Sequence, residues 1–256
     1  MGIGLRPGLP GDYPYFQRWF PMLESGDPTP SSQRWGDELV PACTVAELDG
    51  QPVGYCFAQV FGTDGYIRHV VVEPAARRSG AGRCLLLRAA ASMREVGCSS
   101  WRLNVRDDNA PALSLYASLG LEPHHVCTSL RFPPALVDTL PCRPRPHDVL
   151  EPDAHQVGVL EEHFELPVGQ LDSVRKHPAG VVLAVLAGGL ASYGVATFDT
   201  ARQGSFPFRA ESVETASTLL HALRARATGP EMGVVSEDVD VFTLRLIEAG
   251  ARVPFR

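Results

Sequence analysis

Val70-Val71-Val72-Glu73-Pro74-Ala75-Ala76-Arg77-Arg78-Ser79-Gly80-Ala81-Gly82 is the stretch whose reading decides the fold. The β-branched run reads as a buried strand, Pro74 ends it, and Arg83-Cys84-Leu85-Leu86-Leu87-Arg88-Ala89-Ala90-Ala91 reads as a helix. A strand that turns through small residues into a helix start leaves backbone N–H groups without intrahelical acceptors. The helix dipole adds partial positive charge at the same point. Such a point binds anions, and a diphosphate suits it. Gly80 and Gly82 carry no side chain that would hold a ligand away from the backbone. No Gly-Lys-Ser/Thr follows, which excludes a Walker loop. Leu85 stands where the third glycine of a dinucleotide-binding G-x-G-x-x-G turn would be.

A second stretch follows in order. In Trp101-Arg102-Leu103-Asn104-Val105 apolar and polar residues alternate, which is a strand signal. Asp108 or Asn109 then caps a helix, Pro111 sits in its first turn, and Gly120 stands at its C′ position. Ala112, Leu115 and Leu119 share one face of that helix, which also carries Tyr116.

The pattern Arg-x-x-Gly-x-Gly after a valine strand, with the later Asn, Ala, Leu-Tyr and Leu-Gly-hydrophobic elements in order, resembles the GNAT superfamily of acyl-CoA-dependent N-acetyltransferases. The resemblance runs from about Gly4 to Phe132. It implies an α/β fold of the α+β type, a mixed and mostly antiparallel sheet flanked by helices. It also implies acetyl-CoA as cosubstrate and no metal. In that reading the N–H groups of Arg78, Ser79, Gly80, Ala81 and Gly82 hold the diphosphate, with Arg77 and Arg78 as charged support. The backbone of Val70, Val71 and Val72 pairs with the pantetheine amides like an added strand. Asn109 resembles the family's Asn near the cofactor, and equally reads as a helix cap. Tyr116 is implied as the general acid at the thioester sulfur, its pKa near 10 suiting protonation of a thiolate. The proton acceptor is less defined. His69 titrates near neutral pH, but differs in parity from Tyr66, Arg68 and Val70, so it faces the other side unless a bulge intervenes. Glu73 is the alternative, and many relatives use a water chain.

The acceptor is expected to be a primary amine of a small molecule or of a protein N-terminus. The Leu-Asn-Val-Arg strand and Leu-Tyr helix look like the N-terminus-acetylating branch, and the same motif recurs in small-molecule acetylases. A non-catalytic acyl-CoA-binding regulatory protein is the alternative. Retention of Tyr116 beside an intact glycine turn argues against it.

Composition narrows the partners. The chain has 256 residues, a net charge of −6 and one lysine, Lys176, with no basic run, which argues against nucleic acid. Six cysteines without C-x-x-C spacing read as free thiols, several of them buried, in a reducing compartment. The N-terminus lacks the apolar core of a signal peptide, and the apolar run from Val181 to Leu186 is too short to cross a membrane. A cytoplasmic monomer or homodimer is expected. His124, His125 and Cys127 have no fourth ligand nearby, so no metal site is expected.

Along the chain, a strand at residues 3–7, a helix at 12–23, a hairpin turning at Asp49-Gly50 and a strand at 66–72 precede the glycine turn. Val126–Phe132 reads as the last strand of this half. Pro133 to Pro152 holds six prolines and reads as a semi-rigid linker. The second half reads as a degenerate copy: a hairpin over 181–198 with a Gly188-Gly189 turn, a helix over 213–226 and a helix over 241–249. At an ungapped offset of 130, Val105-Arg106-Asp107-Asp108 meets Val235-Ser236-Glu237-Asp238 and Gly120 meets Gly250, while Asn109 becomes Val239 and Tyr116 becomes Leu246. Few residues follow Gly250, so a strand matching 126–132 is expected to be missing and the sheet edge to be covered by the first lobe. The expected organisation is a catalytic domain over 1–135, a linker over 136–152 and a degenerate lobe without the cofactor turn over 153–256.

Overall fold

A computed structural model describes residues 2–140, 145–186, 192–237 and 241–254. The Gly188-Gly189 turn, Pro141, Cys142 and Pro144 of the proline-rich stretch, and Asp238 and Val239 of the offset match lie outside the described residues. The chain forms two compact units, Met1–Val105 and Arg106–Arg256. Among the described residues no helix is long and apolar enough to cross a membrane.

The first unit comprises β1 (Ile3–Pro7), α1 (Tyr13–Trp19), α2 (Ser32–Arg34, continuing as a π turn over Trp35–Leu39), β2 (Cys43–Leu48), β3 (Gln51–Phe61), β4 (Asp64–Val72), α3 (Ala81–Glu95) and β5 (Ser100–Leu103). The strands lie in sequence order, antiparallel except for the β4–β5 pair. The aromatic positions of α1 explain its packing. Phe16, Trp19 and Phe20 recur at helical spacing and bury together with Trp35, Tyr55 and Phe57. The other face of the sheet takes α3, whose Leu85, Leu86, Ala89 and Met93 are buried against it.

Asp12 sets the start of α1. Its carboxylate takes two bonds from Arg6, at 2.7 and 2.8 Å, and one from the Leu9 N–H at 2.9 Å. Burial alone would raise its pKa; the Arg6 and Leu9 bonds outweigh that and hold it below the ordinary carboxylate value. A depressed native pKa contributes stability above the unfolded value near 3.9, and that contribution disappears as pH falls through the native one. Asp12→Ala is expected to cost about 2 kcal/mol at pH 7, less than a fully buried pair because Arg6 stays partly exposed. Urea unfolding of both proteins at pH 7 and pH 3 checks this: the gap should narrow at the lower pH.

The second unit comprises α4 (Ala110–Ala117), β6 (Cys127–Phe132), β7 (Val149–Leu150), α5 (Ala154–His163), α6 (Gln170–Lys176), β8 (Gly180–Val185), β9 (Gly194–Asp199), β10 (Gly204–Ala210), α7 (Val213–Arg224), β11 (Met232–Glu237) and α8 (Val241–Glu248). Its strand order is β7-β8-β9-β10-β11-β6. Alternation along the strands feeds two cores. Val182, Ala184 and Val195 meet Leu160 and Leu171, while Leu183, Val185 and Ala196 pack with Leu219, Leu223, Phe242 and Leu246.

Without β6, this sheet repeats the first: five strands in sequence order, with the fourth and fifth parallel. Local details recur as well. The Glu73 N–H donates to Val53 O at 2.8 Å, and the Glu211 N–H to Tyr193 O at 3.1 Å. Gly120 and Gly250 close their helices at φ 81° and 105°. Leu121 N donates to Tyr116 O at 3.1 Å, as Ala251 N does to Leu246 O at 2.8 Å.

Two expectations are corrected here. The strand over 127–132 exists, but it pairs antiparallel with β11, from Met232↔Phe132 to Glu237↔Cys127, and so completes the second sheet. Its far edge bonds Arg252 through Arg131 N to Arg252 O at 2.9 Å and Arg252 N to Arg131 O at 2.8 Å. The edge expected to need cover from the first lobe is filled by β6. The described part of the proline-rich stretch is also no free linker. Residues 134–139 form a 3₁₀ turn whose Val137 is fully buried with Leu140 beside it in the second core, and β7 is an edge strand. Apolar spacing outweighs proline content there.

A fragment of residues 1–140 is therefore expected to aggregate. It keeps Leu130, Phe132 and Val137, each fully buried in the intact chain, and loses the sheet that covers them. Each exposed side chain forfeits about 2 kcal/mol of burial. Sedimentation after expression checks this, and a soluble fragment with the circular dichroism of folded protein would overturn it.

Candidate functional site

The glycine turn has the geometry that its residues imply. Arg78 and Gly80 both take positive φ, 63° and 95°, and Gly80 is the N-cap of α3. Ser79 Oγ accepts from Ala81 N at 3.3 Å, and Cys84 N donates to Gly80 O at 3.0 Å. Among the described residues the backbone N–H groups of Gly80 and Gly82 meet no acceptor. Residues 77–80 are exposed. Arg77 is partly occupied, because its Nε donates to Val72 O at 3.3 Å. The turn thus offers free donors at a fifteen-residue helix start.

β4 leads into this turn with one edge open. β5 pairs with Asp64 to Ile67 only, the last pair being Ile67↔Leu103. On the other side β3 continues to Gly54↔Val72. Among the described residues the β5-facing edge of residues 70–72 therefore pairs with no strand.

A bulge interrupts β4 midway. Phe57 pairs with His69 and Ala58 with Ile67, so Arg68 is the extra residue. Before the bulge the odd positions face α3, since the Met93 side chain occupies the space that a Cβ on Gly65 would take. After it the odd positions turn to the aromatic side, where Val71 packs. The bulge thus delivers His69 to the aromatic side. Its ring meets Phe20 edge-on at 5.5 Å, Tyr55 edge-on at 5.9 Å and Phe57 at 5.3 Å. Tyr55 Oη lies 3.2 Å from His69 Nδ1. Phe20 also lines a cleft of about 370 Å³ with Pro21, Glu24, Ser25, Gly26 and Asp27.

Glu73 is anchored. Its Oε1 accepts from Trp19 Nε1 at 2.9 Å and from Arg18 Nη2 at 3.1 Å. Tyr55 and this Trp19–Glu73 tie had no mark in the sequence: Tyr55 reads as one more hairpin residue, and the aromatic run of α1 as core alone.

The first unit thus holds Val70, Val71, Val72, Arg77, Arg78, Ser79, Gly80, Ala81 and Gly82, with His69 and Glu73. Asn109 and Tyr116 are counted in the second unit. Asn109 caps α4, its Oδ1 accepting from Ala112 N at 3.2 Å. Tyr116 lies in the last turn of α4, half-buried. Among the described residues no group of three His, Cys, Asp or Glu is placed to hold a metal. Cys43 and Cys56 are buried free thiols, while Cys84, Cys98 and Cys127 are partly exposed. Burial pushes the Cys56 thiol up to about 12, so it stays protonated.

Comparison with known proteins finds similar sequences and a similar fold. Residues 13–121 match the sequence model of the Acetyltransferase (GNAT) family. The chain is 35% identical over 91 residues to a mycothiol acetyltransferase of Thermomonospora curvata, covering 35% of this chain and 31% of that protein. It is 32% identical over 91 residues to a thialysine N-epsilon-acetyltransferase of Sus scrofa, covering 30% of this chain and 54% of that one. The chain spans about half the length, or less, of the curated relatives it matches. A crystal structure of a Pyrococcus horikoshii protein that bears the name of an acetyltransferase superposes with a TM-score of 0.69 at 20% identity, over 99% of this chain and 86% of that one. That likeness is one of fold, and it extends across both units.

Proposed function

Because residues 13–121 match the GNAT acetyltransferase family, we propose that the chain transfers an acetyl group from acetyl-CoA to a primary amine of a small molecule or protein N-terminus. The observation that carries this reading is the open edge of β4 running into the turn whose Gly80 and Gly82 N–H groups lack acceptors. The two features fit the two halves of one long ligand: a strand edge for amides and a helix start for a diphosphate.

Each residue then has a task. Arg78, Ser79, Gly80, Ala81 and Gly82 hold the diphosphate, with the Arg77 and Arg78 guanidinium groups adding charge. Val70, Val71 and Val72 pair with the pantetheine amides. The amine enters by the cleft beside Phe20, whose Glu24 and Asp27 suit a cation. His69, Glu73 and water are the candidates to take its proton. The amine nitrogen bonds to the thioester carbon, the C–S bond breaks, and Tyr116 donates its phenolic proton to the departing sulfur and regains one from solvent. Holding the amine and the thioester together supplies much of the acceleration. Asn109 contributes by capping the helix that carries Tyr116.

In this reading the residues that carry chemistry lie within 1–135, residues 136–152 join that stretch to the next while packing partly into the second core, and residues 153–256 carry no cofactor chemistry. The start of α7 supports the last point. Its N-cap is Ser212 with extended backbone, φ −140°, whose Oγ accepts from Thr215 N at 3.1 Å. Ser192, Ser212 and Thr215 hydroxyls bond one another there, and Glu211 precedes them. A capped helix start preceded by a carboxylate repels an anion.

Calorimetry is expected to find one acetyl-CoA per chain. Thiol release from acetyl-CoA with a panel of primary amines tests the transfer. Two equivalent sites would overturn the assignment of the second lobe. Tight binding with no turnover on any amine would favour an acyl-CoA-binding regulatory protein.

A further inference from the structure

Tyr55 and His69 are diagonal neighbours on β3 and β4, on the aromatic side of the first sheet. Tyr55 is fully buried, and His69 Nδ1, at 3.2 Å, is the polar partner that its hydroxyl has among the described residues. Burial holds the phenol well above its ordinary pKa, so it keeps its proton. A buried hydroxyl without an acceptor costs about 1–3 kcal/mol, so the O–H points at Nδ1. A ring nitrogen that accepts carries no hydrogen, and a neutral imidazole then has its hydrogen on Nε2.

We infer that Tyr55 is a positioning residue that locks His69 in its Nε2–H form, and, resting on the acetyl-transfer reading, that His69 acts as a hydrogen-bond donor and not as the proton acceptor. The one lone pair a base would need is at Nδ1, already engaged. A proton placed there would make Nδ1 a donor and leave the Tyr55 O–H without an acceptor. With the diphosphate at residues 78–82 and the pantetheine along 72 to 70, the acyl group reaches β4 at the bulge, beside His69. An N–H there suits the carbonyl oxygen, on which negative charge grows as the amine attacks. The amine proton leaves to Glu73 or water.

The tautomer is read from long-range proton–nitrogen correlation spectra of the ¹⁵N-labelled chain at neutral pH. His69 should carry its hydrogen on Nε2, and Tyr55→Phe should let both tautomers appear. Kinetically, His69→Ala should lower turnover by ~10²-fold, the scale of one lost oxyanion donor. The acidic limb of its kcat/KM profile should stay where the wild-type limb lies. A wild-type spectrum with the hydrogen on Nδ1, or a His69→Ala profile that has lost its acidic limb, would overturn the inference. If no amine turns over, the acetyl-transfer reading fails while the spectrum still decides the tautomer. If Tyr55→Phe does not fold, the wild-type spectrum decides it.

Discussion

Gly82→Val is expected to weaken acetyl-CoA binding by at least ~100-fold while leaving the fold intact. The loss has a steric and a polar origin. Gly82 is the second residue of α3, and its N–H is one of the donors without an acceptor at the turn. A branched side chain there keeps a diphosphate from the backbone. An energy of about 2.7 kcal/mol corresponds to that factor, within reach of two or three lost charge-assisted hydrogen bonds. The helix itself should not suffer, since valine is a better helix former than glycine. Gly80→Val is the less clean variant. At φ 95° a β-branched residue is strained whatever the ligand does. Calorimetry with acetyl-CoA, beside a thermal unfolding scan, separates the two effects. Unchanged affinity in Gly82→Val would place the cofactor elsewhere.

Tyr116→Phe should leave acetyl-CoA affinity within a few-fold of wild type and lower kcat by about 10²–10⁴, the range for a lost general acid. Phenylalanine keeps the ring that half-buries in the last turn of α4 and removes one oxygen. The backbone carbonyl of residue 116, which closes the helix by accepting from Leu119 N and Leu121 N, is untouched. A drop in rate with intact binding would therefore report chemistry. An undiminished rate would make Tyr116 a packing residue. The reverse change in the second lobe, Leu246→Tyr, should create no activity, because Leu246 is fully buried in its core and no glycine turn accompanies it.

Local chemistry was legible from the residues, and partner choice was not. The turn at 77–82 announces itself because glycine positions and helix starts depend on neighbours in sequence. The hairpin turn at Asp49-Gly50 does so too, both residues taking positive φ near 51° and 77°. The destination of residues 127–132 could not be read this way. An alternating strand looks the same on either sheet, and its partner, β11, lies about a hundred residues away. The side of His69 likewise hangs on a bulge at Arg68. Parity predicts the α3 face for it without that bulge, and no residue type in Tyr66–Val70 marks where a bulge must fall. The proline-rich stretch misled for a related reason: composition suggested a linker, while Val137 and Leu140, one 3₁₀ turn apart, pack into the second core.

The seat of β6 also sets a timetable for biosynthesis. Residues 1–105 carry all five strands of their sheet in sequence order, so this unit can close while the ribosome is still adding residues. β6 emerges later and must wait for β11 to pair one of its edges and for Arg252 to pair the other. An apolar strand with Leu130 and Phe132 stands unpaired through the whole of that interval, and closing so long a loop is slow. Nascent chains in which β6 but not β11 has left the ribosome should accordingly be the ones that recruit chaperones, while those in which residues 1–105 alone have left it should already be protease-resistant.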